Sequence, residues 1–301
     1  DIPVQNDEAM TGTVHEDALS TGNAEGGQTV SVTGSVSGLV SLGADEPAVY
    51  SLNPDTTTLE NLGLTSKGES LTYLVSGDTL TASGPDGAVF TLELDATTGE
   101  YEFTLLDQLD HQGGEDDGEL LPIDLSSAII VTDADNDELE LDGGSLVISV
   151  ENDIPVQNDE AMTGTVHEDA LSTGNAEGGQ TVSVTGSVSG LVSLGADEPA
   201  VYSLNPDTTT LENLGLTSKG ESLTYLVSGD TLTASGPDGA VFTLELDATT
   251  GEYEFTLLDQ LDHQGGEDDG ELLPIDLSSA IIVTDADNDE LELDGGSLVI
   301  S

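Results

Sequence analysis

Carboxylate side chains that alternate with other residues are the clearest candidates for chemistry in this sequence. Asp133, Asp135 and Asp137 lie at every second position of one short segment. The same segment returns later in the chain with Asp285, Asp287 and Asp289. Calcium is a hard cation that takes about six to eight oxygen ligands, and a tight loop can turn several such carboxylates toward one point. The alternation therefore predicts a calcium site in each segment; a solvated acidic turn between strands is the alternative.

The spacing is similar to the start of an EF-hand loop, but the rest of that motif is missing. Position six of the segment is Glu138, where an EF-hand has glycine. Position twelve is Gly144, where an EF-hand has a bidentate glutamate. No helical period flanks the segment, so we reject an EF-hand and expect a loop between two strands.

Two further groups of acidic residues are candidates for the same kind of site. The first is Glu151, Asn152 and Asp153, followed by Pro155, which favours an extended and stiff connector. An ordinary polar linker is the alternative for this group. The second group lies in predicted loops, at Glu16, Asp17, Asp110, Asp116 and Asp117 and, later in the chain, at Glu168, Asp169 and Asp262.

The net charge excludes whole classes of partner. The 301 residues include 61 acidic and only 2 basic side chains, Lys67 and Lys219, for a net charge of −59. Nucleic acid and anionic membrane surfaces both require a basic footprint, so neither is expected as a partner. There is no cysteine, which removes disulfides, thiolate metal sites and a cysteine nucleophile. No stretch approaches the ~18 apolar residues of a membrane span, so direct insertion is not expected.

The hydrophobic residues indicate a folded all-β protein despite the acidity. They make up 36% of the chain and alternate with polar residues in segments such as Thr29–Val36 and Val89–Leu94. About nine such strands are predicted in the first half, at Ala9–Val14, Thr29–Val36, Ala48–Leu52, Ser70–Val75, Thr79–Ala82, Ala88–Leu94, Glu100–Leu106, Ser126–Val131 and Ser145–Val150. Pro54–Gly68 is predicted to hold an irregular insertion or a short helix. Many short antiparallel strands favour a Greek-key β-sandwich of the immunoglobulin/cadherin-like kind.

An exact internal repeat sets the domain organisation. Residues 153–301 repeat residues 1–149 letter for letter, with a period of 152. Solenoid units are much shorter, at about 20–50 residues, so each copy is expected to be an independent domain. We therefore predict two tandem sandwiches, at residues 1–152 and 153–301. A second identical copy adds length or avidity, not new chemistry.

The predicted topology brings the three acidic groups toward the junction. In an immunoglobulin-like sandwich, the loop before the last strand lies at the end where the chain enters. The loops after the first strand and before the penultimate strand lie at the end where it leaves. Glu16, Asp17 and the segment 110–117 are then expected at the exit from copy one, and the Asp285 segment at the start of copy two. The Glu151 group lies between them in sequence.

The chain resembles two known kinds of calcium-dependent protein. Glu151-Asn152-Asp153-Ile154-Pro155, together with an aspartate-alternating loop, looks like the calcium linkers of cadherins. The whole period resembles the roughly 150-residue tandem repeats of giant bacterial RTX adhesins exported by type I secretion. The sequence segments that carry this resemblance are Leu94–Leu106, Leu109-Asp110-His111, Val131–Asp137 and Val147–Val150 before Asp153-Ile154-Pro155.

The adhesin resemblance implies a function. It implies an extracellular extender on the bacterial surface, which calcium stiffens and which projects a distal ligand-binding domain for adhesion or biofilm formation. The implied partners are calcium ions and neighbouring identical repeats of the same chain, and we expect a monomer. The glycine-rich RTX nonapeptide is absent, since Leu141–Ser145 lacks its period. We expect this chain to be a piece of a longer protein whose binding target lies elsewhere.

Three alternatives remain open from the sequence. Adaptation to high salt would explain the bulk acidity, but not its clustering. A calcium-dependent carbohydrate- or ligand-binding sandwich is possible, although aromatic residues form only 3% of the chain and Trp is absent. An enzyme is not expected: Asp110 and His111 beside a serine would suggest a triad, but no Gly-x-Ser-x-Gly elbow is found.

Overall fold

The computed structural model describes residues 2–23, 28–111, 119–175, 180–263 and 272–301. Two units are distinguished: unit 1 comprises residues 1–154 with 194–198, and unit 2 comprises 155–193 with 199–301. Both are built from short β-strands, which confirms the predicted all-β class. Among the described helices, none has the length and apolar character needed to cross a membrane.

Unit 1 consists of fifteen described strands and one short α-helix. The strands are β1 (Val4–Gln5), β2 (Met10–His15), β3 (Ser31–Ser35), β4 (Val40–Ser41), β5 (Val49–Leu52), β6 (Thr65–Ser66), β7 (Glu69–Ser70), β8 (Thr72–Ser76), β9 (Thr79–Gly84), β10 (Gly87–Leu94), β11 (Glu100–Leu105), β12 (Leu120–Asp124), β13 (Ile129–Thr132), β14 (Glu138–Glu140) and β15 (Leu146–Glu151). Helix α1 spans Thr57–Glu60, and 3₁₀ turns span Glu16–Ala18, Val36–Leu39 and Ser126–Ala128.

Unit 2 repeats these elements. Its strands are β16 (Val156–Gln157), β17 (Met162–Gly164), β18 (Ser183–Ser187), β19 (Val192–Ser193), β20 (Val201–Leu204), β21 (Thr217–Ser218), β22 (Glu221–Ser222), β23 (Thr224–Ser228), β24 (Thr231–Gly236), β25 (Gly239–Leu246), β26 (Glu252–Leu257), β27 (Ile275–Asp276), β28 (Ile281–Thr284), β29 (Glu290–Glu292) and β30 (Leu298–Ile300). Helix α2 spans Thr209–Asn213, and 3₁₀ turns span Glu168–Ala170, Ser189–Leu191 and Ser278–Ala280.

The sheets of unit 1 combine a meander with long-range returns. Strands β8 to β11 follow one another in a five-stranded sheet, and β3 lies beside β11 at its far side. This return of a distant strand to the meander is the Greek-key connection. Two three-stranded sheets, β12-β15-β2 and β14-β13-β5, complete the sandwich. The pairing of β2 with β15 is parallel, and it places His15 beside Glu151.

The core of unit 1 comes from the alternation that the sequence shows. Phe90 and Leu92 of β10 face Leu105 and Phe103 of β11, and the two phenylalanine rings lie 5.1 Å apart. Inward residues of β15, including Ile148, complete the same buried cluster. Each fully buried aliphatic or aromatic side chain contributes roughly 1.5–3 kcal/mol. This core holds the loops at both ends of the strands.

The structure corrects the predicted strand set, which lacked β1, β4, β6, β12 and β14 and extended one strand too far. Strand β12 was missed because Pro122 interrupts its pattern; β12 is an edge strand, where proline is tolerated. Residues Ser126–Ala128 form a 3₁₀ turn, so the predicted strand there begins only at Ile129. The helix α1 lies inside the predicted insertion.

Candidate metal centre

The aspartate loop, residues 133–137, joins β13 to β14 in a tight hairpin. Thr132 pairs with Glu138 across it. The Asp133 N–H donates to the Asp137 carbonyl at 3.1 Å, and the Asn136 N–H donates to the Asp133 carbonyl at 3.2 Å. Asn136 has φ of 71°, a left-handed conformation that asparagine adopts more readily than most residues. The alternating acids are therefore held in one compact turn.

The Asp133 carboxylate is buried at the centre of this turn. Its Oδ1 accepts the N–H of Asp137 at 2.8 Å and the N–H of Asp135 at 3.2 Å. Its Oδ2 is also buried and accepts no hydrogen bond from the part of the chain that the structure describes. The residue is only 4% exposed. A buried carboxylate oxygen without a donor or cation is unfavourable, so Oδ2 points to a missing positive partner.

Asp45 brings a third carboxylate to the loop from a distant part of the sequence. It precedes β5, whose Val49 pairs with Thr132 of β13. The Asp45 carbonyl accepts the Ala134 N–H at 3.1 Å. One carboxylate oxygen each from Asp45, Asp133 and Asp135 lies within 4.8 Å of the others. These three residues define the candidate centre.

Asp45 was not predicted as a ligand from the sequence. The local sequence gives only a weak indication of a ligand, because an acidic pair before a proline, Asp45-Glu46, is typical of an ordinary turn. The pairing of β5 with β13 would have been needed to connect it with Asp133. Asp137 was also predicted as a ligand; its N–H and carbonyl both bond to Asp133. The Asp137 carboxylate does not belong to the group of three among the described residues.

The aspartates of the loop compete for one proton. In copy one, the effect of burial on Asp133 is outweighed by hydrogen bonds from Asp137 and Asp135, which lower the pKa of Asp133, whereas pairing with Asp133, burial and neighbouring charges raise the pKa of Asp135. In copy two, burial raises the pKa of Asp285 to about 8, and the hydrogen bond and charge of Asp287 add to the shift. Two carboxylates this close cannot both ionise freely, so a proton or a cation must separate them.

The second aspartate loop has the same internal geometry. The Asp285 N–H donates to the Asp289 carbonyl at 3.1 Å, and the Asp289 N–H donates to Asp285 Oδ1 at 2.8 Å. Asn288 has φ of 82°. Asp285 Oδ2 is buried and, when Asp285 and Asp287 are both ionised, accepts no hydrogen bond from the described residues. In the repeat, Asp197 holds the position of Asp45.

The donor set fits a hard divalent cation. Carboxylates supply negative oxygens, and carbonyls and waters can complete a shell of about six to eight ligands at ~2.3–2.6 Å, as calcium prefers. The two lysines are engaged elsewhere. Lys67 Nζ contacts Asp86 at 2.9 Å and Asp107 at 3.1 Å, and Lys219 makes the equivalent contacts with Asp238 and Asp259. Neither lysine therefore neutralises the aspartate loops.

The aspartate loop lies at the end of unit 1 where β15 begins. Strand β14 leads from the loop back toward β15, and Leu141 bonds to Ile129 on the way. Strand β15 then runs away from the loop and ends at Glu151. The residues of the second predicted group are found at that other end.

At the end where β15 finishes, the acids are engaged with protein donors. Glu16 is buried, and its Oε1 accepts the Leu109 N–H at 2.6 Å. Its Oε2 lies 3.3 Å from Nε2 of buried His111. His15 Nδ1 lies 3.1 Å from Glu151 Oε2. These contacts form a polar network at the end of the strands.

The remaining predicted ligands of unit 1 that the structure describes take part in hydrogen bonds. Asp17 accepts from the Gln28 amide at 2.6 Å, and Asp110 Oδ2 accepts from the Gly68 N–H at 2.9 Å, while Asp110 Oδ1 is buried without a donor among the described residues. Asp153 accepts from both the N–H and the side-chain amide of Asn23, at 3.1 and 3.0 Å. The Asn152 N–H donates to the Glu119 carbonyl at 2.9 Å. Asp116 and Asp117 lie outside the described residues.

The equivalent acids of copy two follow the same pattern. Glu168 accepts the Leu261 N–H at 2.5 Å, and Asp169 follows it in the 3₁₀ turn. Asp262 accepts from the N–H groups of Gly220 at 2.7 Å and Lys219 at 2.9 Å. The Gly220 N–H is the main cause that lowers the pKa of Asp262. Where the structure describes them, these end residues are not part of a group of three metal-ligating side chains.

No protein-family model matches this chain, and no curated protein matches it either. The sandwich fold and the aspartate loops are therefore the basis for any assignment of function.

Proposed function

We propose that the chain is a non-catalytic extender of a bacterial surface adhesin, in which calcium stiffens tandem β-sandwich domains. The observation that carries this proposal is the buried, donor-free Oδ2 of Asp133 beside Asp45 and Asp135. A cation at that point would neutralise the cluster and connect the aspartate loop to the segment before β5. Such a module projects a distal ligand-binding domain outside the cell, for adhesion or biofilm formation.

Calcium suits the extender role better than a tighter-binding metal. Extracellular modules commonly bind calcium at ~10⁻⁴–10⁻³ M, so the ion would be bound outside the cell and released in a low-calcium cytoplasm. Without the ion, the net charge of −59 favours mutual repulsion and a loose chain. With the ion, repulsion between carboxylates is replaced by coordination. Weak calcium binding would therefore explain both steps: the chain is exported in a loose, calcium-free form and becomes stiff when it binds calcium outside the cell.

The burial of His111 speaks against catalysis. Its ring nitrogen Nε2 lies 3.3 Å from Glu16, and both side chains are almost fully buried. A substrate would therefore have to displace this contact before His111 could act as a base. The histidine is better explained as part of the polar network at the end of unit 1.

The ring positions speak against a carbohydrate-binding role. Tyr101 is 4% exposed, and its ring packs closely over Gly34, where a Cβ would lie 2.6 Å from the hydroxyl oxygen. Tyr73 is half-buried and its hydroxyl is enclosed. Sugar platforms need exposed rings, and neither residue offers one.

Small-angle scattering tests the extender proposal. The two-copy chain would be measured with excess calcium and then with chelator, in the same high-salt buffer. We expect calcium to lengthen the particle while circular dichroism shows that the sandwiches stay folded. The matched variant, Asp133→Asn with Asp285→Asn, should respond far less. Identical wild-type profiles in the two buffers would contradict a calcium-stiffened extender.

A further inference from the structure

The two strands of the β8–β9 hairpin carry no charged side chain, although the molecule is very acidic. Neither Thr72–Ser76 nor Thr79–Gly84 contains a charged residue, in a chain with 61 acidic side chains. The neighbouring strands of the same sheet do carry charge, at Glu93 of β10 and Glu100 and Glu102 of β11. Copy two repeats this hairpin as β23 and β24. Another equally acidic molecule would meet no charged side chain on these two strands.

Strand β8 is also the edge of its sheet. It pairs with β9 on one side, and no described strand pairs with its other side. The connecting loop is Gly77-Asp78, with Gly77 at φ of 63°. In such a two-residue hairpin the residues that flank the loop, Ser76 and Thr79, bond to each other, and bonded pairs then alternate. The main-chain N–H and C=O groups of Tyr73 and Val75 consequently point away from β9.

The side chains of β8 divide between two faces. Tyr73 and Val75 are partly buried and pack on the core. Leu74 faces outward and is 67% exposed, as is its counterpart Leu226. Beside Leu74 on that outer face, Thr81 of β9 pairs with Thr91 of β10. The outer face near the edge is therefore apolar or hydroxyl-bearing.

We propose that β8 is a self-association edge, where the β8 strands of two chains pair antiparallel with Leu74 opposite Leu74. A two-fold axis at Leu74 places Thr72 opposite Ser76 and Tyr73 opposite Val75. Hydroxyl groups then meet hydroxyl groups, apolar side chains meet apolar ones, and the outward main-chain groups of Tyr73 and Val75 find partners. The strand is thus complementary to itself, which is why the occupant is a second copy of this chain.

No charged side chain lies within the paired strands themselves. Across the joined sheet the nearest charged strand is β10, two strand spacings or roughly 10 Å from β8, while Glu69 of β7 and Asp78 of the turn lie just beyond the two ends of β8. Each chain carries two such edges, β8 and β23, so weak pairing at one edge can be reinforced at another. This association does not depend on calcium at the aspartate loops. A monomer was expected from the sequence. When salt screens the net charge, we expect this association to replace the monomer.

Sedimentation equilibrium of the full chain tests this inference. The buffer would contain excess calcium and ~0.5 M NaCl, which shortens the Debye length to roughly 4 Å. We expect the apparent mass to rise from 30.8 kDa to twice that value and beyond as concentration increases, because each chain carries two edges. The paired variants Leu74→Glu with Leu226→Glu, and Leu74→Lys with Leu226→Lys, should each remain monomeric.

Mixing the two variants supplies the decisive comparison. An equimolar mixture should regain association, because opposite charges then face each other at the axis. A control with Leu106→Glu and Leu258→Glu, at leucines that are 48% and 47% exposed and off the hairpin, should behave as wild type. Far-UV circular dichroism verifies that each variant is folded. A wild-type chain that stays at the monomer mass, a mixture that fails to associate, or a control that loses association would each overturn the inference.

Discussion

At the scale of single residues, Asp133 is the centre of the functional argument. Its Oδ1 is satisfied by two N–H groups of its own loop, while its Oδ2 is buried without a donor among the described residues. Asp45 and Asp135 add negative charge at the same point. A protein that gathers three carboxylates around a donor-free oxygen must neutralise them with protons or a cation. Neutralisation by protons predicts that stability depends on pH. Neutralisation by a cation predicts that the loops bind calcium.

In chelator, the folded chain should lose stability as pH rises. Burial raises the pKa of Asp285 to about 8, and pairing with Asp133 raises that of Asp135. A carboxyl group whose pKa is raised by folding stabilises most below its unfolded value, near 4, and this contribution is lost as pH rises through the folded value. For Asp285 the decline should therefore lie between about pH 4 and pH 8.

Urea unfolding at a series of pH values measures this decline. The variant Asp135→Asn with Asp285→Asn should show a shallower dependence on pH than wild type. Excess calcium should also flatten the wild-type curve, because the ion replaces the proton. Equal slopes for variant and wild type in chelator would contradict the shared-proton account.

The residues of the centre differ in how far sequence can reveal them. Alternation was enough to indicate Asp133 and Asp135, because both lie in one short loop. Asp45 depends on the pairing of β5 with β13, which is a long-range contact that no local pattern encodes. The acids at the other end of unit 1, such as Glu16, were predicted as ligands because they lie in predicted loops. Their hydrogen bonds to main-chain groups depend on tertiary packing, which the sequence does not show.

At the scale of elements, close packing between strands limits the size of the side chains that fit between them. Gly12 lies on β2, and a Cβ built there would come within 2.8 Å of Val32 Cγ2 on β3 and 3.3 Å of Ile148 Cδ1 on β15. Glycine is therefore required for the approach of β2 to these strands. Since β2 and β15 carry the chain to Glu16 and Glu151, this packing also positions the polar network at their ends.

Substituting Gly12→Ala should lower the free energy of unfolding by about 1–3 kcal/mol, the usual cost of overpacking a filled core. Gly38→Ala is the matched control, because a Cβ there meets only Met10 Cε at 3.9 Å. Both changes can be made in a single-copy chain of residues 1–152 and compared by urea unfolding. Equal stability of the two variants would show that β2 can shift without loss.

Sequence patterns predicted most strands because alternating residues such as those of β10 and β11 pack on one face. They missed β12, where Pro122 occupies an edge strand, and β14, which is short and acidic at both ends. They also extended the strand before the aspartate loop through Ser126–Ala128. In each case the strand depends on pairing with a distant segment, which local composition does not determine.

At the scale of the whole molecule, charge is the dominant property. A net charge of −59 makes self-repulsion a general destabilising force, which any salt should weaken. Adaptation to high salt and specific calcium binding therefore predict different responses. General screening depends on ionic strength alone, whereas a coordinated ion acts at low concentration and in the presence of other salt.

Thermal unfolding distinguishes the two responses. Adding NaCl in chelator should raise Tm gradually. Adding calcium at millimolar concentration to a chain already in high salt should raise Tm further, while magnesium should do so less because it demands a stricter octahedral shell. Equal effects of the two ions at matched ionic strength would favour salt adaptation over a specific site.

Calorimetric titration of calcium into the two-copy chain tests the central claim most directly. We predict saturable binding in high salt. The variant Asp133→Asn with Asp285→Asn should weaken it at least about tenfold, equivalent to ~1.4 kcal/mol. The control Asp78→Asn with Asp230→Asn removes the same charge at exposed turn positions and should bind as wild type. Absent binding, or equal affinity in the two variants, would contradict a calcium centre at the aspartate loops.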